Sequence, residues 1–64
     1  MKLLEAKIYY NGKLYSALPM EIIDSEHPNM QPGDKFDIEG KEVLVTEITY
    51  LLDKSVVEIY TVDM

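Results

Sequence analysis

The sequence contains no cysteine, no tryptophan and no arginine, and it has only three glycines and three prolines among its 64 residues. Without cysteine the chain forms no disulfide and binds no zinc through thiolates, and nothing marks it for an oxidising compartment. A cytoplasmic location is therefore our default expectation. Twelve acidic residues outnumber six lysines, which gives a formal net charge of −6. That sign argues against direct binding of nucleic acid or of an anionic membrane.

Long apolar runs are also missing from the sequence. Glu5 and Lys7 interrupt the apolar residues near the amino terminus, so we expect neither a signal peptide nor a membrane-spanning helix. Hydrophobic residues nonetheless make up 47% of the chain and charged residues 28%, a balance typical of a folded globular domain. We expect one small β domain over residues 1–64, the whole of a small gene product, with a core limited by its length.

The dipeptide Asn11-Gly12 predicts a β-hairpin, because it separates two runs of apolar and aromatic residues. A type I′ turn needs positive φ at both central residues, which asparagine and glycine tolerate best. A regular two-strand register would then place Ile8 opposite Tyr15 and Ala6 opposite Ala17. On that register the core face of the hairpin carries Leu4, Ala6, Ile8, Tyr10, Tyr15 and Ala17.

The middle of the chain lacks a periodic pattern. Pro28, Pro32 and Gly33 interrupt both helix and strand, so residues 24–33 are predicted to form a loop with at most one short helical turn. Three strands follow, over residues 34–39, 42–50 and 55–62, because these segments alternate or are rich in β-branched side chains.

The alternation of side chains between the two faces of a strand predicts one irregularity in the second half of the chain. A two-residue turn at Glu39-Gly40 puts the apolar residues of the two flanking strands on one face of the sheet. Continuing that alternation would bring Glu47 to the same apolar face. We therefore expect a β-bulge near Thr46 that turns Glu47 outward.

Together these elements predict an all-β fold. It is a five-stranded antiparallel meander that forms a small SH3-like barrel or a strongly curled sheet, with no substantial helix. Pairing the first strand with the last would close such a barrel and hide both edges. The stretch PGDKFDIEGKEVLVTEI, residues 32–48, resembles a hairpin common in SH3-like barrels, among them small phage head–tail joining proteins and translation and chromatin barrels. The likeness rests on turn chemistry and alternation, so it implies no functional residue.

The residue inventory favours a protein that is not an enzyme and holds no cofactor. It offers one histidine, no cysteine and no serine in a nucleophile motif, and its glycines are too far apart to cradle a phosphate. The carboxylates Asp37, Glu39 and Glu42 would need a concave pocket to act as a general acid and base, and so small a sheet does not predict one.

A metal site is not predicted either. Asp24, Glu26 and His27 offer oxygen and nitrogen ligands within four residues. Adjacent residues on an extended segment point in opposite directions, and no second cluster of ligands completes the coordination shell. A solvated loop is the simpler interpretation of these three side chains.

The sequence has more apolar positions than one sheet face can bury. The first hairpin carries apolar residues on both faces, and the last strand does so too, with Val57 and Ile59 on one side and Val56 and Tyr60 on the other. Exposed apolar patches commonly mark protein contacts, and tyrosine is a preferred anchor there. We therefore predict a protein-interaction or assembly module that binds another protein or itself, as a homo-oligomer. The predicted contact residues are Tyr9, Leu14, Leu18, Met20, Tyr60 and Val62.

Two other functions stay open. A small acidic β protein can act as a decoy that occupies the basic groove of a nucleic-acid-binding protein, with carboxylates where phosphates would lie. Such acids also serve solubility. Stacking of single-stranded bases on the tyrosines is the third candidate, which the lack of a cationic groove disfavours. The decoy carboxylates would be Asp34, Asp37, Glu39, Glu42, Glu47, Asp53 and Glu58, of which Asp37, Glu39 and Glu42 form the predicted acidic face.

Overall fold

A computed structural model describes residues 3–64 of the chain. The fold is mostly β, as predicted, with one short helix. A single turn of 3-10 helix, Leu52–Lys54, joins the last two strands. The elements in chain order are β1 (Glu5–Tyr10), β2 (Lys13–Pro19), α1 (Met20–Glu26), β3 (Lys35–Ile38), β4 (Lys41–Leu51) and β5 (Val56–Asp63).

The five strands form one mixed sheet in the order β2-β1-β5-β4-β3. All neighbours are antiparallel except β1 and β5, which are parallel, so the prediction of a wholly antiparallel meander is wrong. The reason is geometric: when five strands alternate in direction, the first and the last run the same way and can only pair in parallel. The chain makes this pair and leaves β2 and β3 as the two edges. The curled sheet is therefore a half-barrel that opens between β2 and β3.

Both predicted two-residue turns are present. Asn11 and Gly12 have φ of 49° and 85°, and Glu39 and Gly40 have φ of 50° and 84°. Positive φ at both central residues is what a type I′ turn requires, and it matches the right-handed twist of the strands on either side. The second turn holds a glutamate in the left-handed region, where a side chain with Cβ is disfavoured.

The register of the first hairpin differs from the predicted one beyond its turn. Tyr9 pairs with Leu14, but Ile8 pairs with Ser16, so Tyr15 is the extra residue of a β-bulge. The bulge shifts every later side chain of β2 to the other face. Leu18 therefore lies opposite Ala6 on the core face. The predicted pairing of Ile8 with Tyr15 and the assignment of Ala17 and Leu4 to the core face are wrong; both Ala17 and Leu4 are exposed.

The predicted bulge in β4 is confirmed. Val45 pairs with Thr61 and Glu47 pairs with Tyr60, which leaves Thr46 as the extra residue. The Thr46 Oγ1 hydroxyl donates to the carbonyl oxygen of Tyr60 at 3.3 Å. The bulge turns Glu47 to the face of the sheet away from the core, so the carboxylate stays in water.

Helix α1 ends within the predicted loop, where residues 24–26 form the one short helical turn that was allowed for, but the sequence analysis missed that the helix begins at Met20. Seven residues are too few for a stable isolated helix, and Pro19 supplies no side-chain cap. The helix is held instead by Ile23, which is only 2% exposed, and by Met20, which packs against the core. It ends at Glu26, and the backbone N–H of the next residue, His27, donates to the carbonyl oxygen of Ile23 at 2.8 Å.

The core lies between the inner face of the sheet and α1. Among the described residues one polar side chain, that of Thr61, is buried with it. The Thr61 hydroxyl donates to the carbonyl oxygen of Tyr9 at 2.9 Å. This bond joins β5 to the end of β1, where the parallel pair finishes. The buried apolar residues are Ala6, Ile8, Ile23, Ile38, Val43, Val45, Val57 and Ile59.

Candidate protein-interaction surface

The outer face of the sheet brings four of the six predicted contact residues together. Tyr9 on β1 lies opposite Leu14 on β2 and opposite Tyr60 on β5. Val62 lies two residues beyond Tyr60, and therefore on the same face. Leu14 is 56% exposed and Val62 is 36% exposed. We call Tyr9, Leu14, Tyr60 and Val62 the tyrosine face.

The two tyrosines of this face are held in a fixed arrangement. Their rings stack with centroids 4.9 Å apart and planes 15° apart. Both hydroxyls donate to the carboxylate of Glu58, at 3.2 Å from Tyr9 and 2.8 Å from Tyr60. One carboxylate thus fixes two rings that come from opposite ends of the chain. Side chains that are already ordered lose less entropy when a partner binds them.

The same carboxylate disfavours ionisation of both hydroxyls. The pKa of Tyr60 is raised to about 12. The largest cause is the hydrogen bond to Glu58, followed by the partial removal of the Tyr60 hydroxyl from water and by the negative charge of Glu58. The pKa of Tyr9 is also raised, first by partial removal from water and then by the hydrogen bond to Glu58. Both hydroxyls are therefore harder to ionise than that of an isolated tyrosine, and they remain hydrogen-bond donors above the pH at which tyrosine ordinarily titrates.

Leu18 and Met20 do not belong to this face, contrary to the orientation that the sequence pattern predicted. The bulge at Tyr15 turns Leu18 toward the core, and Met20 packs against the core from α1. The pattern also missed Leu44, which lies opposite Val62 on the outer face. Only the pairing of β4 with β5 reveals that neighbour.

A second cluster ties the end of β5 to the first turn. The Tyr10 hydroxyl and the Asn11 side-chain amide both donate to the carboxylate of Asp63, the amide at 3.3 Å. These bonds lower the pKa of Asp63, and the bond to Asp63 raises the pKa of Tyr10. The arrangement is structural: it keeps β5 beside β1 at the end where the tyrosine face lies.

The predicted acidic face lies at the β3–β4 hairpin. Asp37 and Glu42 are directly opposite each other, and Glu39 occupies the turn next to them. All three are exposed. Like charges directly opposite on neighbouring strands destabilise a sheet by about 0.2–1 kcal/mol, so this cluster weakens the hairpin that carries it.

The opening between β2 and β3 forms a groove of about 160 Å³, which we call the β2–β3 groove. A second cavity of about 200 Å³ lies between α1, residues 29–31 and the inner face of β4 and β5. Both are smaller than the 300–1,000 Å³ or so of typical small-molecule pockets. The groove is lined by Ile8, Tyr15, Ser16, Leu18, Ile23, Glu26, His27, Phe36, Asp37, Ile38 and Glu39.

Within residues 3–64, no three or more histidine, aspartate or glutamate side chains are grouped so as to hold a metal ion. Asp24 lines the second cavity, Glu26 lines the β2–β3 groove, and His27 lies between them and lines both. No helix in this described part of the chain is long and apolar enough to cross a membrane. Comparisons with protein-family models, curated proteins and solved structures give no match.

Proposed function

We propose that this protein is a small non-enzymatic protein-interaction or assembly module that binds through the tyrosine face. The observation that carries the proposal is the stacked pair of Tyr9 and Tyr60, fixed by Glu58 and flanked by exposed Leu14 and Val62. In this proposal the half-barrel is an opened relative of the SH3-like barrels and acts in the cytoplasm.

Three physical properties suit this surface to a protein partner. Tyrosine rings bury a large area at low entropic cost, and rings that are already stacked reduce that cost further. The Leu14 and Val62 side chains lose unfavourable contact with water when a partner covers them. The Tyr9 and Tyr60 hydroxyls already donate to Glu58, so a partner that covers them leaves no hydrogen-bond donor unsatisfied.

The partner in this proposal is another protein or a second copy of the chain, and a homo-oligomer is the first form to test. A domain of this size buries a smaller share of its surface than a larger domain does, so association adds stability that the isolated fold lacks. An interface built on the tyrosine face is mainly apolar. Its strength should therefore depend only weakly on salt.

The test is light scattering of the purified protein at low and high salt, with two matched variants. Leu14→Asp puts a charge on the tyrosine face, whereas Leu52→Asp makes the same change at a residue of similar exposure, 53%, in the turn between β4 and β5. We expect an oligomer that persists in high salt and that only Leu14→Asp dissociates. A monomer whose binding to other proteins is equally unaffected by both variants would refute the proposal.

An acidic decoy is the second candidate function. The observation in its favour is the cost of setting Asp37 directly opposite Glu42, beside Glu39, since a purely solubilising set of acids has no need to share one hairpin. A decoy would bind a basic nucleic-acid-binding protein strongly at low salt and weakly at high salt. Charge reversal at Glu39 and Glu42 should abolish that binding, and Leu14→Asp should leave it intact.

A further inference from the structure

The half-barrel leaves two strand edges facing the same opening. β2 and β3 are the outermost strands of the sheet, so each has one row of backbone N–H and C=O groups without a strand partner. Such an edge is a template for an added strand. β2 is the longer edge, with seven residues from Lys13 to Pro19, and it sets the length of chain that could pair there.

The interior of the β2–β3 groove is apolar. Leu18 from β2, Ile23 from α1 and Phe36 from β3 contribute to its walls, together with Ile8 and Ile38 from the core. Its volume of about 160 Å³ is well below that of a typical small-molecule pocket, so the groove suits one side chain better than a whole ligand. An extended chain that pairs with an edge points alternate side chains inward, so the groove suits an apolar residue at alternate positions.

The rim of the groove carries charge of one sign. Glu26, Asp37 and Glu39 line it beside His27, and none of the described residues lining it is a lysine. The side chains of an added strand that alternate with its apolar residues would lie near these carboxylates. Charge complementarity therefore favours lysine or arginine at those positions.

We propose that the β2–β3 groove receives an extended segment of a partner protein, about seven residues long, in which apolar side chains alternate with lysine or arginine. Pairing with the edges would supply backbone hydrogen bonds and cover the opening of the half-barrel. A second copy of the chain suits this groove poorly, because a chain of net charge −6 would bring further acids to an acidic rim. This inference does not depend on the tyrosine face.

The first experiment selects ligands without assuming their sequence. Random seven-residue peptides displayed on phage are selected against the immobilised full chain, and the enriched peptides are synthesised with a fluorescent label. Affinity is measured by fluorescence anisotropy, and contacts are mapped by amide chemical shifts. We expect alternating apolar and basic peptides that shift the amides of β2 and β3.

Two charge reversals then locate the binding. Asp37→Lys and Glu42→Lys change the net charge equally, and each replaces the same like-charge pair by an attractive one, so both variants should fold at least as well as the parent chain. Only Asp37 lines the groove. We expect Asp37→Lys to weaken peptide binding by about tenfold or more and Glu42→Lys to weaken it by less than about threefold.

Each other outcome overturns the proposal. A selection without enriched peptides, or with peptides lacking basic residues, means that the groove does not recognise this chemistry. If the two charge reversals weaken peptide binding equally, the peptide is attracted to the acidic protein in general and not to the groove. If the protein self-associates and only Asp37→Lys alters that association, a second copy occupies the groove. Shifts confined to the amides of Tyr9 and Tyr60 assign the peptide to the tyrosine face. The Leu14→Asp result bears on that face alone, so the two proposals fail separately.

Discussion

Truncating Ile23 should detach α1 from the sheet. Ile23 is 2% exposed and is the one residue of the helix that is fully buried, whereas its neighbour Ile22 is 42% exposed. Replacing a buried isoleucine by alanine removes its transfer free energy and leaves a cavity, at a cost of about 2–5 kcal/mol. Because 64 residues give a total stability of about 3–10 kcal/mol, Ile23→Ala removes a large part of it.

The same substitution one residue earlier is the matched control. Ile22→Ala loses a half-exposed side chain and gains a few tenths of a kcal/mol of helix propensity, so its net cost should stay below about 1 kcal/mol. Urea unfolding followed by circular dichroism measures both variants. With an m-value of about 1 kcal/mol/M, Ile23→Ala should lower the midpoint by about 2 M or more. Equal midpoints for the two variants would refute the assignment of Ile23 as the anchor of α1.

Two further predictions concern the tyrosine face and the acidic turn. Glu58→Gln should lower the pKa of Tyr60 from about 12 toward its ordinary value near 10, as measured by tyrosinate absorbance, because the accepting charge is lost. The folded-state pKa is raised, so this bond stabilises the protein up to about pH 10 and the contribution disappears between about pH 10 and 12. Glu47→Gln is the control: Glu47 accepts no bond from Tyr60, and its charge is the smallest of the causes that raise the Tyr60 pKa, so this variant should lower that pKa much less. A Tyr60 pKa that stays near 12 in the Glu58 variant would contradict the assignment. Glu39→Asn should raise the urea midpoint by the equivalent of about 0.5–1 kcal/mol, because asparagine tolerates the φ of +50° better than glutamate. Glu42→Gln removes a nearby charge without changing the turn, and an equal gain from it would assign the effect to charge instead.

The pairing of the strands explains where both proposed surfaces lie. Pairing β1 with β5 brings Tyr9 beside Tyr60 on the outer face, and the lack of a β2–β3 pair leaves the groove on the other side. A closed meander would have had strands β2 and β3 hydrogen-bonded to each other and no acidic groove between them. The two candidate sites therefore follow from two features of the strand pairing: the β1–β5 pair creates the tyrosine face, and the missing β2–β3 pair leaves the groove open.

Local signals in the sequence were enough to predict the turns and several side-chain orientations. Asn11-Gly12 identifies a turn because few other residues accept positive φ twice in succession. The alternation of β5 correctly separates buried Val57 and Ile59 from the outer Tyr60. Parity also revealed the bulge at Thr46, since a charged Glu47 on the core face would have been costly.

The remaining features depend on contacts between distant parts of the chain, and only the tertiary structure decided them. The alternation of side chains could not predict the bulge at Tyr15. Because β2 carries apolar residues on both faces, the registers with and without the bulge both place apolar side chains in the core. Helix α1 is too short to form from propensity and exists because Ile23 finds a place in the core. Tyr9 and Tyr60 meet only because β1 pairs with β5 across the whole length of the chain. The sequence by itself thus determined the strands and turns, through local backbone preference and alternation, while long-range packing chose which strands pair and where the half-barrel opens.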